Sequence, residues 1–598
     1  MLKIATMNDA LNFPSIPLAQ TVVQFCQAKN IQHIIISPGS RNAPLTKGFT
    51  SNSYFKTYSI VDERSAAFFA LGIAQQLKAP VAVVCTSGSA LLNYYPAVAE
   101  AYYSDIPLVV LSADRMPHRI DIGDGQTIRQ TKVFEPHLED AAYLLPDVIH
   151  ATETLKQHPA QKLISSTASA IEIQTKQDEI QTENEKAINR VLNTAAHRNG
   201  PVHLNIPFEE PLYETTSEQI VLTHCKRPKN QSHGAIPDEI FSTWKKSPKK
   251  MILCGVSSPN ALTEESLDFL AADPSVVVLT ETTSNLAHYS FVQSIDTFIA
   301  PLEASGQDLS VFQPDVLVTF GGMIVSKKIK AFLRHYPPHK HFHIDDKKAY
   351  DTFYALTQHI KTRADSFFKA IREQSVDYVQ SDYCSLFLAQ YNAHRLKGKA
   401  YLQKIPFSDL KAFHQIFKAL PNNIYLQLAN SSTIRYSQLF QLPELKGVFC
   451  NRGTSGIDGS TSTAMGAAWV RKEQTVFITG DLSLFYDTNG LWNNYLKSTT
   501  RIIVINNNGG GIFRILPGEK DTATYDTYFE TLQHRTAKRL CQAHGIGYRS
   551  AASNWALIRQ LKRFFSPSSR PQLLEIKTPR KQNDIILLNY FKSMQDES

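Results

Sequence analysis

Short apolar runs of strand length recur along this chain, each ending in a small or polar turn and followed by helical spacing. They fall over residues 32–37, 81–85, 108–112 and 201–211, then over 251–254, 275–279, 316–320 and 341–344, then over 448–450, 475–479 and 501–506. Helical patterns lie between them, for example over 62–78 and 91–103. A parallel pair needs a long crossover, usually a helix, so this alternation predicts mostly parallel sheets covered on both faces. The expected fold class is α/β with three doubly wound domains. The first spans 1–212, a central α/β domain spans 213–375, and the third spans 376–598. Polar residues 151–199 read as exposed helices and 213–235 as a linker. The first and third regions share a strand, turn, helix, strand unit with few identities, a common architecture more than a sequence repeat.

Composition narrows the class. The 598 residues are 43% hydrophobic and 19% charged, with a net charge of +8, which excludes extended disorder. No apolar run approaches the ~18 residues of a membrane span. Residues 1–14 have no leader-like apolar stretch, so a cytoplasmic protein with no membrane partner is expected. Seven dispersed cysteines with no C-x-x-C pattern point to reduced thiols. No dense Lys/Arg block or stacking platform marks a nucleic-acid partner; scattered arginines fit small anionic ligands better. His335, His339, His341 and His343 invite a zinc reading, but their spacing is wrong for a structural site, and a polar strand edge is preferred.

The densest chemical signal is Gly480-Asp481-Leu482-Ser483 followed by Asn507, 26 positions after Asp481, within a run of three asparagines and three glycines, residues 506–511. Asp481 and Asn507 end successive predicted strands, and parallel strands open such ends into one crevice. A carboxylate, an amide oxygen and a glycine-turn carbonyl are hard ligands suited to Mg²⁺, which completes its octahedron from phosphates and water. The plainer reading is two ordinary turns after strands. Gly123-Asp124-Gly125 shows a similar triplet without an asparagine pair at that distance.

Gly-Asp-x with Asn-Asn some 25 residues on resembles the motif of the thiamine-diphosphate-dependent enzymes. Further stretches are similar to one branch, the menaquinone-pathway synthases: residues 36–45 (ISPGSRNAPL), 62–72 (DERSAAFFALG), 86–90 (TSGSA), 112–115 (SADR), 451–459 (NRGTSGIDG) and 506–513 (NNNGGGIF). The resemblance implies the thiamine-diphosphate-binding fold, with the cofactor and Mg²⁺ (or Mn²⁺) held between two domains of a homodimer or dimer of dimers. Asp481, Asn507 and the Gly509 carbonyl would be the metal ligands. Ser455, Ile457, Leu482, Ser483 and Ile512 would lie along the cofactor, with Ile457 bending it.

Taken by itself, Glu63 is an acid at a helix N-terminus. The resemblance gives it the task of hydrogen-bonding the aminopyrimidine ring, which needs a partly desolvated carboxyl of raised pKa. Arg41, Arg115, Arg435 and Arg452, each a surface charge by default, become carboxylate forks for 2-oxoglutarate and isochorismate. Ser40, Gln126 and Ser431 would add neutral hydrogen bonds, and Ile512, Phe513 and Leu516 an apolar wall. Glu63, Arg41, Gln126, Arg435 and Arg452 form the expected catalytic group. Lys327 and Lys328 stand where the family commonly has Lys-Arg, and Gly125 stands where it often has Asn.

The implied reaction is decarboxylation of 2-oxoglutarate and conjugate addition of the resulting succinyl-semialdehyde carbanion equivalent to isochorismate. One rival is a related enzyme acting on pyruvate, of the acetohydroxyacid synthase or decarboxylase type, which would not need the four arginines. Another is a non-catalytic metabolite-binding relative.

Overall fold

The computed structural model describes residues 12–226, 235–374, 377–515 and 520–595. Leu516 and the expected domain boundary at 375/376 lie outside the described residues. The chain forms two compact units: one of Met1–Asn230, Thr461–Arg471 and Asp487–Leu496, the other of Gln231–Ser460, Lys472–Tyr486 and Lys497–Ser598.

The first unit is built on a six-stranded sheet in the order Lys56–Ser59, His33–Ile36, Val81–Cys85, Leu108–Asp114, Val202–Pro207, Asp140–Tyr143, parallel throughout. Its central strands are buried along their whole length, which is why they read as unbroken apolar runs. The expected helix over 62–78 is Glu63–Leu77. Its cap is Asp62, whose side chain accepts from the Ser65 N–H at 3.0 Å, and Lys78 closes it in a left-handed conformation.

The pattern over 91–103 is instead two helices, Ser89–Asn93 and Tyr95–Tyr103, because Pro96 fits the first turn of a helix but not its interior. The polar stretch expected as exposed helices contains one long helix, Ala170–Arg198, started by a Ser169/Glu172 capping box. It is not exposed all round: Ile173, Ile180, Ile188, Val191, Leu192 and Ala195 bury one face. The described part of the expected linker is also anchored. Thr215–Thr216 pairs antiparallel with Phe13–Pro14, and Gln24 Nε2 donates to the Val221 carbonyl at 2.8 Å.

Helix Ser460–Val470 supplies residues 461–470 to this unit and meets Glu63–Leu77 without intervening side chains. A Cβ on Gly72 would lie 2.1 Å from the Thr463 carbonyl oxygen, and one on Gly466 2.0 Å from that of Phe69. Only glycine permits that approach on either side.

The second unit carries two parallel sheets. The five-stranded one runs Val276–Thr280, Lys250–Cys254, Val316–Phe320, Lys340–Ile344, Gln358–Ile360. The six-stranded one runs Gly447–Cys450, Tyr425–Leu428, Thr475–Gly480, Thr500–Asn506, Gln572–Lys577, Gly547–Ala551. Both six-stranded sheets have the same order when strands are numbered along the chain, 2-1-3-4-6-5, so the shared unit seen in the sequence extends to the whole sheet. The expected polar strand edge at His341 and His343 is corrected: Lys340–Ile344 lies inside its sheet, and Thr319 Oγ1 is hydrogen-bonded to both rings at 2.8 Å. Burial lowers both imidazole pKa values to about 4. No helix among the described residues is long and apolar enough to cross a membrane.

Candidate active site

In the second unit, Tyr425–Leu428 and Thr475–Gly480 are neighbours whose onward connections leave to opposite sides of the sheet. Such a switch point opens a crevice at the carboxyl ends of the strands. A cavity of about 730 Å³, its open mouth included, lies there, and its lining includes Ser431, Ile457, Gly480, Asp481, Asn507 and Gly509. Leu482, Ser483, Ile512 and Phe513 line it as well. Thus nine of the residues singled out in the sequence converge on one crevice: Ser431, Ile457, Asp481, Leu482, Ser483, Asn507, Gly509, Ile512 and Phe513. Ser455 is exposed and does not line it; its φ of 61° makes it part of the turn that presents Ile457.

Asp481 is almost fully buried. Its Oδ2 accepts from Gln533 Nε2 at 2.5 Å and its Oδ1 from the Leu482 N–H at 2.8 Å. Burial still pushes its pKa up to about 6, and a second carboxyl, Asp409, raises it further. Asp409 is itself pushed up to about 6 by burial, against hydrogen bonds from Thr578 and Asn507. The Asn507 Nδ2 donates to Asp409 Oδ2 at 2.8 Å, which occupies the amide nitrogen and leaves the amide oxygen as the free end. Gly509 has a φ of 151°, and a Cβ there would meet the Glu530 carbonyl oxygen at 2.7 Å.

These residues fit a dication under a diphosphate. One carboxylate, one amide oxygen and backbone carbonyls are hard donors too few to enclose an ion, so phosphate oxygens and water must complete the shell. A cation would also relieve two buried acids held above their ordinary range. The glycines leave the backbone bare: a Cβ on Gly480 would meet nothing within 4 Å. Asp409 and Gln533 were not foreseen, because nothing in their local sequence distinguishes them from a helix-start acid and a loop amide.

In the first unit, Glu63 opens its helix half-buried, and desolvation raises its pKa, opposed by its own backbone N–H. Fully buried Ala66, Ala67 and Phe69 follow it. Asp62 Oδ2, beside it, accepts from Asn489 Nδ2 at 2.7 Å. Arg41 and Arg115 come together. Arg41, 3% exposed, donates to the Phe208 carbonyl at 3.0 Å and to Glu210 at 2.9 Å, while Arg115 lies 3.9 Å from the same carboxylate. The Nε of each is buried without a partner. Arg115 also donates to the Gly125 carbonyl at 3.1 Å, a contact that needs no side chain at 125. Ser40 and Gln126 are exposed nearby in sequence, Gln126 with a φ of 56° and its carbonyl accepting from Ser87 at 2.8 Å.

Arg435 and Arg452 share a second cluster, in the other unit. Arg452 donates to Asn430 Oδ1 at 2.8 Å, and Asn430 lines the crevice. Burial lowers the Arg435 pKa, with Asp296 opposing and Arg452 adding to the shift. Lys327 is exposed, and Lys328 is paired with Glu303 at 2.5 Å. Two further residues of this cluster escaped the sequence reading. Lys330 is half-buried within reach of Glu281, Arg452 and Arg435. Glu281 accepts from the N–H groups of Val325 and Ser326, each at 2.7 Å, and so pins the loop that leads into helix Lys327–His335. Burial pushes its carboxyl up to about 7.

A parallel sheet pair of identical order, a diphosphate crevice at a switch point and a desolvated glutamate are the attributes of a thiamine-diphosphate-dependent enzyme. Residues 16–141 match the family described as thiamine pyrophosphate enzyme, N-terminal TPP binding domain. Over 98% of its length the chain is 50% identical to the whole of a 2-succinyl-5-enolpyruvyl-6-hydroxy-3-cyclohexene-1-carboxylate synthase of Christiangramia forsetii. It is 49% identical to the protein of that name from Flavobacterium johnsoniae, covering 97% of this chain and all of the relative. For the one from Porphyromonas gingivalis the identity is 37%, over 96% of each. The chain belongs to this synthase family.

Proposed function

We propose that this protein decarboxylates 2-oxoglutarate with thiamine diphosphate and adds the resulting four-carbon unit to isochorismate, the synthase step of menaquinone biosynthesis. The observation that carries the reading is the crevice holding Asp481, Asn507 and Gly509 in a chain that matches named synthases almost end to end. Thiamine diphosphate, when bound, supplies the electron sink that makes loss of carbon dioxide from a 2-oxo acid feasible.

The protein's own residues do the rest. Asp481, the Asn507 amide oxygen and the Gly509 carbonyl would hold Mg²⁺ (or Mn²⁺) with the diphosphate, and Asp409 fixes the amide orientation of Asn507. Leu482, Ser483, Ile457 and Ile512 would border the cofactor, with Ser455 shaping the turn that presents Ile457. Glu63 would hydrogen-bond the pyrimidine ring and hold a proton there, a task helped by the desolvation that raises the Glu63 pKa. Arg41 and Arg115 grip one substrate carboxylate, with Ser40 and Gln126 beside them. Arg435 and Arg452 grip another, with Ser431, Lys327 and Lys328 contributing at the rim and Phe513 supplying apolar wall. Forked guanidiniums suit two dicarboxylate substrates, whereas pyruvate needs fewer. A cytoplasmic homodimer, or a dimer of dimers, belongs to the same reading, as do the three domains with boundaries at 212 and 375. The seven cysteines are free thiols, as a reducing compartment keeps them.

The test is carbon dioxide release from carboxyl-labelled 2-oxoglutarate with thiamine diphosphate and Mg²⁺, with and without isochorismate, beside a pyruvate control. Turnover that requires both substrates and ignores pyruvate is expected. Release from pyruvate instead overturns the substrate assignment.

A further inference from the structure

The glycine turn that follows strand Thr500–Asn506 lines the crevice with Gly509, Gly510 and Gly511, and residues 529–533 run against the same turn without lining it. The Gly510 N–H donates to the Glu530 carbonyl at 2.6 Å, and the Gln533 N–H donates to the Asn508 carbonyl at 3.2 Å. Phe513 and Phe529 meet edge to face with ring centres 6.3 Å apart. No side chain separates the two segments, since a Cβ on Gly509 or on Gly510 would come within 2.7 or 3.2 Å of the Glu530 carbonyl oxygen.

Glu530 is fixed by its side chain. It is 1% exposed, and Arg514 4%. Arg514 grips the carboxylate as a fork, donating from Nε to Oε1 at 2.8 Å and from Nη2 to Oε2 at 2.6 Å, and Arg580 repeats the fork at 3.1 and 2.7 Å. The two guanidiniums come from different parts of the chain. Arg514 lies on the short helix Gly511–Ile515 just past the turn, and Arg580 follows strand Gln572–Lys577. Asp526 pairs with both of them, so two carboxylates balance two buried cations. Burial by itself would raise the Glu530 pKa, but the hydrogen bonds from Arg514 and Arg580 hold it below its ordinary value, which keeps the forks charged at neutral pH.

Glu530, Arg514 and Arg580 are all absent from the crevice lining. A carboxylate held on both oxygens and kept out of the crevice acts on the site through its backbone, and that backbone holds the Gly509–Gly510 turn. We propose that Glu530 is a positioning residue for the cofactor's metal: its side-chain clasp sets the Glu530 carbonyl, and the carbonyl sets the turn that presents Gly509. The proposal rests on the reading of Gly509 as a metal ligand.

Glu530→Gln leaves the carbonyl in the chain but removes the charge that both forks hold. Two readouts on the full-length protein test its effect: Mg²⁺ binding by calorimetry in excess thiamine diphosphate, and amide hydrogen exchange of the cofactor-free protein over residues 506–513. Mg²⁺ affinity should fall about 10–100-fold, the usual cost of freeing a metal ligand from its support. Exchange over the turn should quicken at least about tenfold, the weight of one charged hydrogen bond, while strand Val316–Phe320 in the five-stranded sheet exchanges as in the wild type. Arg514→Lys keeps the charge without the fork and should move both readouts the same way by less. If neither readout moves, if only one does, or if Val316–Phe320 shares the quickening, the proposal is overturned. A wild type that binds no Mg²⁺ with thiamine diphosphate overturns the cofactor reading as well.

Discussion

Asn507 and Asp409 are joined by a 2.8 Å hydrogen bond in which the amide nitrogen is the donor, so the amide has one orientation available to it. Asp409 also accepts from Thr578, and its own N–H is held by Asn583 at 2.8 Å, which fixes the acceptor in turn. Replacing Asp409 by Asn places two amides in competition and frees Asn507 to turn its nitrogen toward the cation. The Mg²⁺ concentration for half-maximal activity should rise about 10–100-fold, as for other partners that orient a metal ligand. A metal titration of activity in Asp409→Asn measures it, and an unchanged midpoint removes Asp409 from this role.

Glu63→Gln keeps the size and the hydrogen-bonding capacity of the side chain but cannot exchange a proton. Turnover should fall by about 10²–10⁴-fold while thiamine diphosphate still binds, because only the proton-sharing step is lost. Cofactor binding by calorimetry beside steady-state rates separates the two effects.

Glu281 offers a pH experiment away from Asp481, Asn507 and Gly509. Its carboxyl ordinarily titrates at 4.5 and is pushed up to about 7 by burial. The folded state therefore holds the proton more tightly than the unfolded state, so stability is fullest below pH 4.5 and declines as pH rises toward 7. The cost by neutral pH is on the order of 2–3 kcal/mol. Glu281→Gln removes this titration, so wild type should lose stability relative to the variant across that window. Melting curves of both proteins at a series of pH values would show it; a stability difference that does not change with pH counts against a buried, proton-binding Glu281.

Arg452→Lys retains charge but not the planar fork that reaches Asn430 Oδ1 at 2.8 Å. If Arg452 holds a substrate carboxylate as proposed, the expected result is a loss of about 10–100-fold in kcat/KM, carried by that substrate. Varying 2-oxoglutarate and isochorismate separately identifies which one.

Gly72→Val tests the packing of the first unit. With backbone, not a flexible side chain, 2.1 Å from the added Cβ, the helices must separate. A destabilisation of about 1–3 kcal/mol is expected, seen in urea unfolding, with a smaller effect at Gly125, where a Cβ meets nothing within 4 Å.

Much of this was legible in the chain. Buried parallel strands such as Val81–Cys85 and Val316–Phe320 announce themselves because both faces are apolar. Strands Lys56–Ser59 and Asp140–Tyr143 do not, since they sit at the sheet's edges and carry polar residues. The crevice was readable because Asp481 and Asn507 end adjacent strands, so sequence spacing maps directly onto space. Asp409, Gln533, Glu281 and Lys330 were not readable. Each acts through a partner distant in sequence, and a pattern along the chain carries no information about which distant group a side chain will meet.

The first unit is assembled from three stretches of chain, the last ending at Leu496. During synthesis its amino-terminal sheet emerges long before helix Ser460–Val470, whose Gly466 closes against Phe69. The sheet and its main apolar core lie before residue 213, but until then the matching face of Glu63–Leu77 stays uncovered at the ribosome. A nascent chain stalled before residue 461 still shows that face and should be the form that engages chaperones.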